Sequence, residues 1–181
     1  MKFPPISRVM SDGPALARAH WYFRHATHLG SRVRVWGNPI VRNEGKLIVG
    51  DRVRVVSIAA TVELSAGEGA TLELGDGTYI NNGCSIGATL SVRIGPNCSI
   101  GSHTTIIDNA FHSLEPERRN EMPPSEPIVL EENVWLGIRV IVLRGVTIGA
   151  GSVVGAGSIV TKDIPPRSLA LGMPAKVVRS L

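Results

Sequence analysis

The chain has 181 residues, with 19 Lys and Arg against 15 Asp and Glu for a formal charge of +4, and is 43% hydrophobic but only 4% aromatic. That length supports one substantial core and excludes two ordinary domains joined by a linker. With so few rings and 20 glycines, the core must be layered from Val, Ile, Leu and Ala, which is natural for a solenoid and unusual for a bundle or sandwich.

The basic excess is concentrated in Arg24, Arg32, Arg34, Arg42, Lys46, Arg52 and Arg54. These alternate with valines as solvated strand faces do and lack an aromatic stacking platform, so no nucleic-acid partner is expected. Cys84 and Cys98 have neither metal-ligand nor disulfide-framework spacing and read as reduced core thiols. No signal-peptide core or apolar run of transmembrane length occurs, and a cytoplasmic protein without a transmembrane segment is expected.

Residues 1–30 stand apart from the rest. Ala15, Leu16, Ala17, Ala19, Trp21, Tyr22 and Phe23 predict a helix following Asp12, Gly13 and Pro14, with Gly30 as a stop signal. Its role is either to cap an open first coil or to contact an acceptor or membrane, and a solenoid needs the cap.

From 31 to 166 the sequence repeats with a period of six. Val49 and Val55 begin a degraded run, Leu74, Ile80 and Ile86 form a second, and Ile94, Ile100 and Ile106 a third, offset by two residues near Val92. A stricter run, Leu130, Leu136, Val142, Ile148, Val154 and Val160, follows. Val140, Val146, Ser152, Ser158 and Ile164 occupy inward corners four residues after its aliphatic positions. A period of six fits neither an amphipathic helix nor a long alternating strand. Three hexads make one triangular coil, stacked at the inter-strand spacing of about 4.8 Å, which is an all-β parallel β-helix. Residues 167–181 close it: Pro165 and Pro166 stop the last strand, and Pro174 to Leu181 are expected to form a short helix.

The repeat fails once. Between Ile106 and Leu130 the aliphatic positions hold His112, Arg118 and Pro124, and the intervening Glu, Arg, Asn and Pro residues predict an extruded polar loop at about 112–129. His112 stands where that loop leaves the coil. An imidazole titrates near neutral pH, so His112 is a candidate general base, with Asp108 or Glu126 to orient its ring. A surface histidine and a turn aspartate are the plain alternatives.

The stretch Val134 to Arg179, together with Ile80–Cys84 (INNGC) and Ile106–Arg119 (IIDNAFHSLEPERR), resembles the hexapeptide-repeat O-acetyltransferases, including maltose and galactoside O-acetyltransferases and bacterial polysaccharide O-acetyltransferases. The resemblance implies a left-handed β-helix, a homotrimer with active sites between subunits, and acetyl-CoA as acyl donor without a required metal. The implied acceptor is a hydroxyl of a sugar or glycoconjugate, such as a cell-surface polysaccharide precursor. It also assigns His112 as general base, Asn81 to the acceptor side, and Gly137, Ala156, Thr161, Lys162, Lys176 and Arg179 to the coenzyme A groove. Trp135 either lines the reaction centre or is an apolar anchor. Some sugar acetyltransferases carry an acid where this chain has Ala88 or Thr89, which puts an unmodified maltose or galactoside acceptor in doubt.

Two other functions compete. A zinc lyase of the γ-carbonic anhydrase type needs three histidines, whereas only His103 and His112 lie in the coils. A purely structural solenoid leaves the extruded loop and the cationic C-terminal turn without purpose.

Overall fold

The computed structural model describes residues 12–181. After helix α1 (Asp12–Tyr22), the first coil comprises β1 (His28–Leu29), β2 (Arg34–Gly37) and β3 (Ile40–Asn43), and the second β4 (Lys46–Val49), β5 (Arg54–Ser57) and β6 (Glu63–Ala66). The third holds β7 (Thr71–Leu74), β8 (Tyr79–Ile80) and β9 (Ser85–Ala88), and the fourth β10 (Ser91–Ile94), β11 (Ser99–Ile100) and β12 (Thr105–Ile107). The fifth holds β13 (Ile128–Leu130), β14 (Trp135–Leu136) and β15 (Ile141–Val142); the sixth holds β16 (Thr147–Ile148), β17 (Val153–Val154) and β18 (Ile159–Val160). A partial last turn ends in β19 (Ser168–Gly172) and β20 (Ala175–Ser180).

Every third strand pairs in parallel with its successor, giving the three faces of a left-handed prism. Face A begins with β1, face B with β2 and face C with β3. The aliphatic positions of the repeat all point inward: Val55, Ile80, Ile100, Leu136 and Val154 stack in register on face B, each 1% exposed or less. Along the strands, backbone N–H groups donate to carbonyls of a neighbouring coil, as Ser99 N does to Val134 O at 2.9 Å, and at the corners the buried hydroxyls of Thr78, Thr104 and Ser152 donate to backbone carbonyls of the next coil.

The extruded loop costs the ladder nothing. Ile94 pairs with Leu130, 36 positions on, whereas Leu130 pairs with Ile148, 18 positions on. The loop therefore inserts the length of one whole coil, and the register resumes unchanged beyond it.

The stems of that loop are tied by a buried polar cluster. Both carboxylate oxygens of Asp108, fully buried, accept from residues of the preceding coil: Oδ1 from Thr89 N (2.8 Å) and Thr89 Oγ1 (2.7 Å), Oδ2 from Leu90 N (2.8 Å) and Ser91 N (2.7 Å). Asn109 Nδ2 donates across the stem to Pro123 O and Ser125 Oγ. Asp108 makes none of its bonds to His112, so the expected orienting role is corrected: its acceptors are consumed in capping the 89–91 turn.

Both ends are closed. Ala15, Ala19 and Phe23 bury one side of α1 against the first coil, and Asp12 pairs with Arg34 at 2.9 Å. At the other end the expected closing helix is a strand. β20 pairs antiparallel with β19, because the open edge of face B offers unpaired backbone groups and Val177 and Val178 suit an extended chain.

Truncating a rung of the ladder, Ile100→Ala, is expected to lower stability by about 2–5 kcal/mol in urea unfolding. Asp108→Ala strips the acceptors from three backbone N–H groups and is expected to cost about 3 kcal/mol. It also speeds proteolysis within 112–127; unchanged stability and cleavage would contradict the clamp.

Candidate active site

Trp135, Asn81 and Gly137 come together. Tyr79, Ser99 and Trp135 lie in register on face B, and Asn81, Gly101, Gly137 and Gly155 form the next column toward the edge shared with face C. Three successive glycines leave that column without side chains, and the result is a groove of about 360 Å³ walled by Tyr79, Trp135 and Ile138. Trp135 is 56% exposed, so it is a wall of the groove and not a buried anchor.

Gly137 is required by a close approach. A Cβ there would stand 2.7 Å from the backbone nitrogen of Ala156, the residue after Gly155 at the corner of the next coil. Gly137 and Ala156 therefore form one narrow corner of the B–C edge.

The other edge of face C carries the loop. His112 is exposed at its mouth, in a cavity of about 240 Å³ lined with Ala110, Ser113, Leu114, Pro123 and Arg144. Its Nδ1 lies 2.9 Å from the backbone carbonyl oxygen of Arg119. A carbonyl only accepts, so Nδ1 carries the proton and Nε2 of the neutral ring keeps its lone pair. Glu126, the other expected orienting acid, is instead paired with Arg144 at 2.5 Å. The ring is thus oriented by the loop's own backbone.

Thr161 and Lys162 are exposed on this same C–A edge, one turn beyond Arg144. Lys176 and Arg179 lie on β20, exposed at the C-terminal end of face B. The candidate residues are therefore divided within one chain: Asn81, Trp135, Gly137 and Ala156 belong to face B and its edge with C, while His112, Thr161 and Lys162 belong to the edge between C and A.

Cys84 and Cys98 are fully buried in the ladder, and burial pushes each thiol up to about 11. They are packing groups and not nucleophiles. No group of three or more His, Cys, Asp or Glu side chains arranged for a metal ion occurs among the described residues, and His103 lies on the B–C edge, away from the His112 loop. No helix among the described residues is long and apolar enough to cross a membrane.

Tyr79 and Gly101 were not singled out from the sequence. The signal was present in the residue following each aliphatic hexad position, where Asn81, Gly101, Gly137 and Gly155 recur at the same offset.

The family profile "Bacterial transferase hexapeptide (six repeats)" matches residues 127–162. The chain is 42% identical over 114 residues to a putative acetyltransferase of Schizosaccharomyces pombe (62% of this chain, 55% of that protein). It is 40% identical over 113 residues to the galactoside O-acetyltransferase of Escherichia coli K12 (62% and 56%). These matches span little more than half the length of the two relatives. A putative acetyltransferase of Staphylococcus aureus MRSA252 matches more fully, at 38% identity over 150 residues (79% of this chain, 73% of that protein). Among solved structures, a galactoside acetyltransferase in complex with coenzyme A superposes with a TM-score of 0.66 at 30% identity, covering 94% of this chain and 73% of that one. A hexapeptide-repeat acetyltransferase of Vibrio cholerae complexed with acetyl-CoA gives 0.65 at 31% identity, covering 91% and 76%. With its repeat, its parallel prism and these relatives in agreement, the chain belongs to the hexapeptide-repeat acetyltransferase family.

Proposed function

We propose that the protein is an acetyl-CoA-dependent O-acetyltransferase whose acceptor is a hydroxyl of a sugar or glycoconjugate, with His112 as general base. The observation that carries this reading is the state of His112: a histidine at the mouth of a rigidly tethered loop, its Nδ1 proton held by a backbone carbonyl and its Nε2 open to a reactant. As the acceptor oxygen attacks the thioester carbonyl, Nε2 takes the hydroxyl proton. Collapse of the tetrahedral intermediate expels the coenzyme A thiolate, which recovers that proton from the imidazolium. No acyl-enzyme is needed, in keeping with thiols that are buried and protonated.

In this reading the acyl donor runs along the glycine column. Gly137 and Ala156 let a pantetheine arm lie close to the backbone, and the cations Lys162, Lys176 and Arg179 suit the phosphates. Trp135 and Asn81 face the acceptor. The reaction belongs to the cytoplasm, where thiols such as Cys84 and Cys98 stay reduced.

One chain supplies these groups on two edges, separated by the width of face C, roughly 13 Å for four extended residues. The reading therefore includes a homotrimer in which the C–A edge of one subunit meets the B–C edge of the next. Outward on the C-terminal half of face C, Ile107, Ile141, Leu143 and Ile159 are apolar beside Thr105 and Thr161, with Leu143 42% exposed. Face A presents Lys46, Glu73, Arg93 and Thr147 beside Ile48 and Val129, and is the more polar of the two.

His112→Ala is expected to lower acetyl transfer by about 10²–10⁴-fold while leaving coenzyme A binding and the unfolding midpoint near wild type. Turnover within a few-fold of wild type sinks the assignment of the base. Light scattering is expected to give three times the chain mass, and an active monomer contradicts the shared site.

A further inference from the structure

The arginines of the N-terminal coils alternate with valines in a manner that suits a solvated face, yet three of them surround one groove. Arg34, Arg52 and Arg54 line a cavity of about 270 Å³ with Gly77 and Asn97, on face B and its edge with A. Arg34 is held by Asp12, at 2.9 Å. Arg52 and Arg54 are exposed, and among the described residues neither has a carboxylate within 4.0 Å. Residues 1–11 contain no Asp or Glu and two further cations, Lys2 and Arg8.

This groove neighbours the one that holds Asn81 and Trp135. The Arg54 guanidinium stacks on the Tyr79 ring, 5.1 Å from its centroid, and Tyr79 is also a wall of the neighbouring groove. Arg54 pairs in register with Tyr79, Tyr79 with Ser99 and Ser99 with Trp135, so the two grooves share one ladder. From Arg54 to Asn81 is one strand spacing across and two residues along, about 8 Å between backbone positions. A hexose ring with one substituent has that reach.

We propose that Arg52 and Arg54 form an oxyanion subsite, and that the acceptor is an acidic sugar carrying a phosphate or carboxylate about one ring away from the hydroxyl that is acetylated. The inference rests on the acetyltransferase reading and adds the chemical class of the acceptor. Two guanidinium groups without a carboxylate partner in contact make charge-assisted bonds to such an oxyanion, and Tyr79 fixes one of them against a flat surface. A neutral sugar in the same place leaves both cations facing its ring.

The test uses the full-length protein saturated with coenzyme A, so that the coenzyme's own phosphate contacts are filled, and three probes: glucose, glucose 1-phosphate and glucuronate. Calorimetry is expected to show at least one acidic sugar binding about tenfold or more tighter than glucose. The stronger of the two identifies phosphate or carboxylate as the recognised group. Arg52→Gln/Arg54→Gln is expected to erase the difference, Arg54→Lys to retain most of it, and 0.5 M salt to weaken it. Equal binding of the three sugars, binding of none, or a preference that survives the double glutamine variant overturns the proposal. Acetylation of the same sugars is read separately. Charge-selective binding without any acetylation counts against the transferase reading alone, and acetylation that ignores charge counts against the subsite alone. Light scattering on the double variant completes the test: dissociation into monomers together with lost binding assigns the arginines to the subunit interface and overturns the subsite.

Discussion

Stacking of identical inward positions is the constraint on which the molecule depends. Each coil sets an aliphatic side chain over its counterpart about 4.8 Å away and spends its backbone hydrogen bonds on its neighbours. The interior is then a column of Val, Ile and Leu that tolerates little else, and chemical variety is pushed outward to faces, corners and insertions. The open ends of the column need separate treatment, which α1 and the β19–β20 hairpin supply.

The extruded loop is an insertion that respects this constraint. Because it adds the length of one coil, strands on either side pair as though it were absent, and the buried Asp108, Thr89, Asn109 and Ser125 contacts fasten its stems. A long polar segment thus projects from a rigid prism without loosening it. Its histidine takes its orientation from a carbonyl within the same loop, so the geometry of the ring is set locally while its position is set by the coil.

The aliphatic ladder was legible in the sequence because packing demands it at every sixth residue, and Leu130 to Val160 keep the period without error. The loop was legible through residue type alone: His112, Arg118 and Pro124 occupy periodic positions but cannot fill a core. What escaped notice depends on partners that spacing does not reveal. Asp108 reads as well as a catalytic orienter as a turn cap, and only its four bonds to the 89–91 segment decide between them. Val177 and Val178 close the solenoid as a strand because an unpaired sheet edge lies beside them, a tertiary fact. Arg52 and Arg54 read as solvated charges until the coil brings them round one groove beside Tyr79.

In the proposed function the catalytic groups of one site come from two chains, His112 from one and the Asn81 groove from the next. Complementation tests it most directly: His112→Ala chains and Asn81→Ala chains, each inactive alone, are co-assembled in equal amounts and assayed for acetyl transfer. Random mixing gives one intact site for every four in a cyclic trimer, so recovery to about a quarter of wild-type activity is expected. Activity no greater than that of the two variants measured separately would contradict it.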